Sequence, residues 1–150
     1  MINPSSVTQA RSSAIKYLSI REHSYFELEQ KLTRKGFEKK VIDSVLSQLQ
    51  AGNLLSDERF AESYVRMRTQ KGFGPLRIQQ ELRERGIAEE LAKDVLETNE
   101  TSWVTLARNA RQKRFGEDLP KGQREFAKQA RFLQYRGFAP SQIKDALLII

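Results

Sequence analysis

A chain of 150 residues and 17.3 kDa can form one compact domain or a short array of repeats; 39% hydrophobic and 30% charged residues describe a globular, helix-rich chain and exclude disorder. The absence of cysteine excludes a disulfide framework and thiolate metal sites, and no apolar run approaches a membrane span. The 26 Lys and Arg against 19 Asp and Glu give +7 and a pI near 9.8, which favours polyanionic partners: nucleic acid, or a protein assembly containing it.

The lead-in, Met1-Ile2-Asn3-Pro4-Ser5-Ser6, lacks the basic start and apolar centre of a signal peptide, so the cytoplasm is the expected compartment. Residues 1–8 read as a flexible segment. From Gln9 to about Glu22, Ala10, Ala14, Tyr17 and Leu18 share one helical face. Ser24 and Glu27 form a capping-box signature that opens a helix carrying Leu28 and Leu32 and stopping at Gly36. A third helix runs from about Glu38 to Ala51 and closes at Gly52-Asn53.

Ser56 or Asp57 caps the next helix, which turns Phe60, Ala61, Tyr64 and Val65 inward and leaves Arg59, Arg66 and Arg68 more exposed. The turn Lys71-Gly72-Phe73-Gly74-Pro75 leads into a helix from Leu76 to Arg85 that buries Ile78 and Leu82. Its partner, Ala88 to about Glu97, buries Leu91, Val95 and Leu96. Thr101 or Ser102 then caps a helix with Trp103, Leu106, Ala107 and Ala110 inside. After a loop at Gly116–Pro120, the helix from about Gln123 to Arg136 carries Phe126, Ala130 and Leu133 inward, and Lys128, Arg131 and Arg136 outward. Pro140 opens the last helix, which ends in an apolar tail, Ala146 to Ile150.

The same six-residue pattern closes the second helix of each group. It reads Leu32-Thr33-Arg34-Lys35-Gly36-Phe37, Leu82-Arg83-Glu84-Arg85-Gly86-Ile87 and Leu133-Gln134-Tyr135-Arg136-Gly137-Phe138. Glycine supplies a left-handed C′ residue, and the next apolar side chain packs back on the leucine. The spacing therefore predicts Phe37 on Leu32, Ile87 on Leu82 and Phe138 on Leu133, and an internal repeat. The expected fold is all-α: three tandem three-helix repeats over 9–53, 54–99 and 100–150, forming an elongated curved body.

Reagents for catalysis are scarce. His23 is the single histidine and, at a helix boundary, reads as a surface or capping residue. There is no phosphate-binding GxxxxGK[ST] loop, and Gly72-Phe73-Gly74 lacks the strand and third glycine of a dinucleotide fingerprint. Asp43, Glu58, Glu62, Glu81 and Asp94 are scattered over helix surfaces. No metal or cofactor is expected. The chemistry left is basic: the candidate partner- or DNA-binding residues are Arg66, Arg68, Lys71, Arg77, Arg85, Lys128 and Arg131. Arg34, Lys35, Arg85 and Arg136 also suit a helix C-terminus. Arg66, Arg68, Lys71 and Arg77 flank the glycine-rich turn, where free backbone beside positive charge suits a phosphate or an acidic surface. Tyr25, Tyr64 and Phe73 nearby read as packing residues rather than base-stacking ones.

These residues carry a family resemblance. Asp57-Glu58-Arg59-Phe60-Ala61, Tyr64-Val65, Arg68, Gly72-Phe73-Gly74-Pro75-Leu76-Arg77-Ile78, Glu81-Leu82 and Gly86-Ile87 strongly resemble the RecX family of bacterial recombinase regulators. Arg21-Glu22-His23-Ser24 with Glu27-Leu28 and Lys31-Leu32 is similar to that family's first-unit motif, and Phe132 to Phe138 to its third. The resemblance spans roughly residues 10 to 148 and is weakest in the third unit. It implies a non-catalytic regulator that binds the RecA filament in its groove, damps ATP hydrolysis, strand exchange and coprotease activity in the SOS response, and binds single- and double-stranded DNA less selectively; a monomer is expected. Two other readings compete with it. A general basic DNA-binding protein would act by competition for nucleic acid, and an adaptor would use the apolar tail Leu147–Ile150.

Overall fold

The computed structural model describes residues 3–148, and among them every regular element is an α-helix. The first unit holds α1 (Pro4–Ile20), α2 (Tyr25–Arg34) and α3 (Lys39–Ala51). The second holds α4 (Asp57–Gln70), α5 (Pro75–Glu84) and α6 (Glu89–Glu97). The third holds α7 (Trp103–Phe115), α8 (Gly122–Arg136) and α9 (Pro140–Leu147). The expected three tandem three-helix repeats are the observed architecture.

Local chemistry explains where the helices begin. The side chains of Ser24, Ser56 and Ser102 accept the backbone N–H of Glu27, Arg59 and Thr105, and Glu27 answers the Ser24 N–H to complete the capping box. Pro75 and Pro140 open α5 and α9, where the missing N–H has no helical partner to lose. One expectation is corrected here. The first helix begins at Pro4 rather than at about Gln9, because Asn3 accepts from the Ser5 N–H at 2.9 Å and Pro4 sits in the first turn; Met1 and Ile2 of the expected lead-in lie outside the described residues. Of residues 4–8 only Val7 packs on the core, so apolar periodicity does not register the stretch.

The helix ends follow the repeated pattern. Gly36, Gly86 and Gly137 have φ of +92°, +78° and +96°. The N–H groups of Phe37, Ile87 and Phe138 reach back to the carbonyls of Leu32, Leu82 and Leu133 at 3.3, 3.0 and 3.1 Å. These are Schellman caps. Gly72 makes a fourth after α4, with the Phe73 N–H on the Arg68 carbonyl at 3.1 Å, and this one positions Phe73.

Each unit closes its own core by packing its first helix on its third. Leu32, Leu82 and Leu133 are fully buried at the same point of the three cores. One turn earlier the first two units bury Leu28 and Ile78, whereas the third buries Gln129. Its partner is Arg111, 3% exposed, which donates to Gln129 Oε1 at 3.0 Å and to the carbonyls of Gly116, Glu117 and Asp118. A polar pair in a core position explains why the third unit diverges in sequence. The accessible surface is 9683 Å², against roughly 7,800 Å² for a compact monomer of this mass. Three small cores in a row leave more surface than one large core.

The units are joined by one repeated device: the C-terminal end of a second helix abuts the N-terminal end of the preceding unit's second helix. At the first junction the Ser24 hydroxyl donates to the Arg85 carbonyl at 2.7 Å, and a Cβ on Gly86 would overlap the Phe26 ring. Asp57 accepts the Tyr25 N–H at 2.8 Å, and Arg59 pairs with Glu22 at 2.6 Å. At the second junction Gly74 and Leu76 donate their N–H groups to the Arg136 and Gly137 carbonyls at 2.7 and 2.9 Å. The last carbonyls of one helix thus satisfy orphan donors of another, with the dipoles aligned head to tail.

His23 is corrected from a surface residue to a buried one, 1% exposed. Its Nδ1 faces the Arg21 carbonyl at 3.1 Å and its Nε2 faces Lys31 Nζ at 2.8 Å. A carbonyl can only accept and an ammonium only donate, so the ring is neutral with its proton on Nδ1. Burial, its largest influence, lowers its pKa from 6.5. The unfolded chain then takes up a proton near 6.5 that the folded chain binds only at lower pH. Stability is therefore full above that value and declines as pH falls toward the folded pKa. Urea midpoints are expected to drop as pH falls below 6.5, with a smaller drop in His23→Gln. Equal drops in both proteins would remove His23 as the cause.

The apolar tail is also corrected: Leu147 is 4% exposed in the third core, so it is no free docking residue. Leu148 is partly exposed, and Ile149 and Ile150 lie outside the described residues.

Candidate partner-binding face

The turn between α4 and α5 gathers two of the expected residues, Arg68 and Arg77, together with Arg136 around Phe73. The guanidinium carbons of Arg68, Arg77 and Arg136 lie 3.9, 4.4 and 5.0 Å from its ring centroid. The negative face of the ring attracts them. One carboxylate, Glu81 of α5, balances the group. Arg68 grips it with Nε and Nη2 at 2.8 Å each, Arg77 Nε reaches it at 3.3 Å and the Tyr64 hydroxyl donates at 3.0 Å. Burial alone would raise the Glu81 pKa, but the hydrogen bonds from Arg68, Tyr64 and Arg77 outweigh it and hold the carboxyl below 4.5. The Tyr64 hydroxyl is pushed up, first by burial and then by its bond to Glu81.

This geometry sorts the candidates. Arg68 is corrected from an exposed base to a structural one: its side chain is 14% exposed and its charge is spent on Glu81. Arg85 is half-buried, donating to the Glu81 carbonyl at 2.9 Å and lying 4.8 Å from the Tyr64 centroid. Arg77 is shared: it is bound to Glu81 and, at 3.4 Å, to the Tyr135 carbonyl, yet its side chain is 45% exposed. Arg66, Lys71, Lys128 and Arg131 are exposed and make no ion pair among the described residues. Phe73 and Tyr64 are covered by guanidinium groups, so the packing role expected of them is the observed one.

The exposed bases do not share one site. Arg66 borders a cleft of about 380 Å³ together with Glu62 and Glu100, which offset its charge. Lys71 borders a second groove of about 460 Å³ whose other bases are Lys113, Arg114 and Arg136. Lys128 and Arg131 stand with Arg124 on the exposed side of α8 at helical spacing.

Arg136 is also corrected. Expected outward at a helix end, it turns inward, donates to the Lys71 carbonyl at 3.0 Å and lies 5.0 Å from both the Phe73 and Phe132 centroids. Sequence reasoning missed Glu81 as the organising carboxylate, and Lys113 and Arg114 as groove residues. The run Arg111-Gln112-Lys113-Arg114 at the end of α7 was the available signal for the last two.

With this geometry in hand, comparison with known proteins gives one consistent family. Three family models match in order: the first three-helix domain of RecX over residues 10–49, the second over 56–96 and the third over 100–147. A regulatory protein RecX from Halorhodospira halophila is 45% identical over 91% of this chain and 84% of its own. One from Vibrio parahaemolyticus is 41% identical over 92% and 89%. The crystal structure of RecX from Lactobacillus salivarius superposes with a TM-score of 0.83 at 23% identity, covering 96% of both chains, a likeness of fold. No helix among the described residues is long and apolar enough to cross a membrane.

Proposed function

This chain belongs to the RecX family, and from that premise we propose that it binds the RecA nucleoprotein filament and inhibits its ATP hydrolysis, strand exchange and coprotease activity. In this reading it is a monomeric cytoplasmic regulator with no catalysis of its own, and it modulates recombination and the SOS response. One observation supports the reading above the others: two hydrogen-bonded junctions hold three units in an extended row, with uncommitted bases on the second and third. Such a body can touch more than one protomer of a helical assembly, so modest contacts add up. Bridging neighbours hinders the filament's conformational changes or its extension. The contact residues are then Lys71, Arg77, Lys128 and Arg131, with Arg66 at the edge, while Arg68 and Arg85 hold the face together.

The exposed row Arg124, Lys128 and Arg131 favours a second reading, competition for nucleic acid. Titrating the protein into RecA's single-stranded-DNA-dependent ATP hydrolysis separates the two. Inhibition well below one molecule per protomer is the expected result. Inhibition only at amounts that coat the DNA, reversed by excess DNA, would establish competition instead. No inhibition at any dose would sink both.

A further inference from the structure

The groove between the second and third units has a composition that neither family membership nor filament binding requires. Its bases are Lys71, Lys113, Arg114 and Arg136, and among the described residues no carboxylate lines it. Its apolar lining comes from Leu106, Ala110 and Phe132. Gly72 leaves one wall as bare backbone: a Cβ there would lie 3.4 Å from Arg136 Nη1 and 3.8 Å from Ala110 Cβ. Four bases with no carboxylate among the described residues of the lining call for an anionic ligand. Apolar lining calls for an apolar group on the same ligand.

We propose that this groove is a binding site for an acidic peptide segment carrying one large apolar side chain, the carboxylates facing the four bases and the side chain against Leu106, Ala110 and Phe132. A nucleic-acid strand fits less well. Phe132 is packed edge-on against Phe115 at 5.3 Å and lies 5.0 Å from the Arg136 guanidinium, so a base stacking flat on the ring would compete with the guanidinium, whereas an apolar side chain needs only edge contact. The bases could hold phosphates, but Leu106, Ala110 and Phe132 offer them no hydrogen bonds and are matched only by an apolar group. The groove holds about 460 Å³, the scale of a pocket for a few side chains rather than a track for a strand. The inference rests on the regulator reading only for which partner presents the segment.

The test uses the full chain and three labelled probes. One is a short peptide of glutamate and aspartate with a central phenylalanine; the second has serine in its place; the third is an oligothymidylate of equal charge. Fluorescence anisotropy is expected to show the phenylalanine peptide binding about tenfold more tightly than the serine peptide. Lys113→Glu with Arg114→Glu, both exposed, should remove that binding with helix content unchanged. Equal affinity for the two peptides, or binding that survives the double substitution, would overturn the proposal. Tighter binding of the oligonucleotide, displacing the peptide, would reassign the groove to nucleic acid. The assay contains neither recombinase nor DNA filament, so failure here with intact ATPase inhibition removes the groove alone.

Discussion

Alanine in place of Gly36, Gly86 and Gly137 is expected to have graded effects, although all three glycines occupy the same position of the same cap. Each has a positive φ, so each substitution costs about 1–2 kcal/mol for the left-handed conformation alone. At Gly36 nothing lies within 4 Å of the new Cβ, and the cost stops there. At Gly86 the Cβ overlaps Phe26, and at Gly137 it overlaps Arg77 and sits 2.7 Å from the Arg77 backbone nitrogen. Neither neighbour can rotate aside, because the Phe26 Cβ is fixed to α2 and the Arg77 Cβ to α5, and at Gly137 the Arg77 backbone adds a second contact. Overpacking adds about 1–3 kcal/mol, with Gly137→Ala at the upper end. Gly137→Ala also pushes apart the Leu76 N–H and Gly137 carbonyl that join the units. Urea denaturation of the three variants checks the order. Equal losses at all three positions would mean that the junctions contribute nothing beyond backbone conformation.

Glu81→Gln should be the most damaging near-isosteric change on the basic face. Glu81 is the one carboxylate bonded to Arg68, Arg77 and Tyr64, and both it and Arg68 are largely buried, at 16% and 14% side-chain exposure. A neutral amide cannot accept from all three donors and turns an N–H toward a guanidinium. Breaking a buried pair from one side costs about 3–5 kcal/mol, and partial exposure brings the expected loss to about 2–3 kcal/mol. Because the folded pKa of Glu81 lies below 4.5, its contribution is complete above pH 4.5 and is lost as pH falls through the folded value. The variant should lack that part of the acid transition. A loss under about 0.5 kcal/mol in urea would show Phe73 alone holding the arginines together. Charge reversal at Arg68 would act on the fold for the same reason. Filament contacts are therefore better probed at Lys71, Lys128 and Arg131, which carry no ion pair among the described residues.

The third unit shows how an unreadable stretch arises. Its core helix presents Gln129 where the other units present Leu28 and Ile78, so the apolar period weakens, although the helix and its Schellman cap are intact. Arg111 is what makes Gln129 tolerable inside. An arginine in a short run of bases reads as surface until its four acceptors are in place around it.

The sequence by itself determined the helices, their serine and proline starts, the glycine ends and the threefold repetition. The reason is range: a capping box joins residues three apart and a Schellman cap residues five apart, so every partner lies within two turns. Which bases are free was decided only by the tertiary structure. Arg68 meets Glu81 across thirteen residues, and Arg136 meets the Lys71 carbonyl across sixty-five. At such separations the unfolded chain holds no record of the pairing, and a buried arginine and an exposed one are the same letter. His23 illustrates the point from the other side. Its neighbours in sequence explain its bond to the Arg21 carbonyl, but its burial depends on α1 and α2 closing together over it and on Lys31 arriving at its far nitrogen.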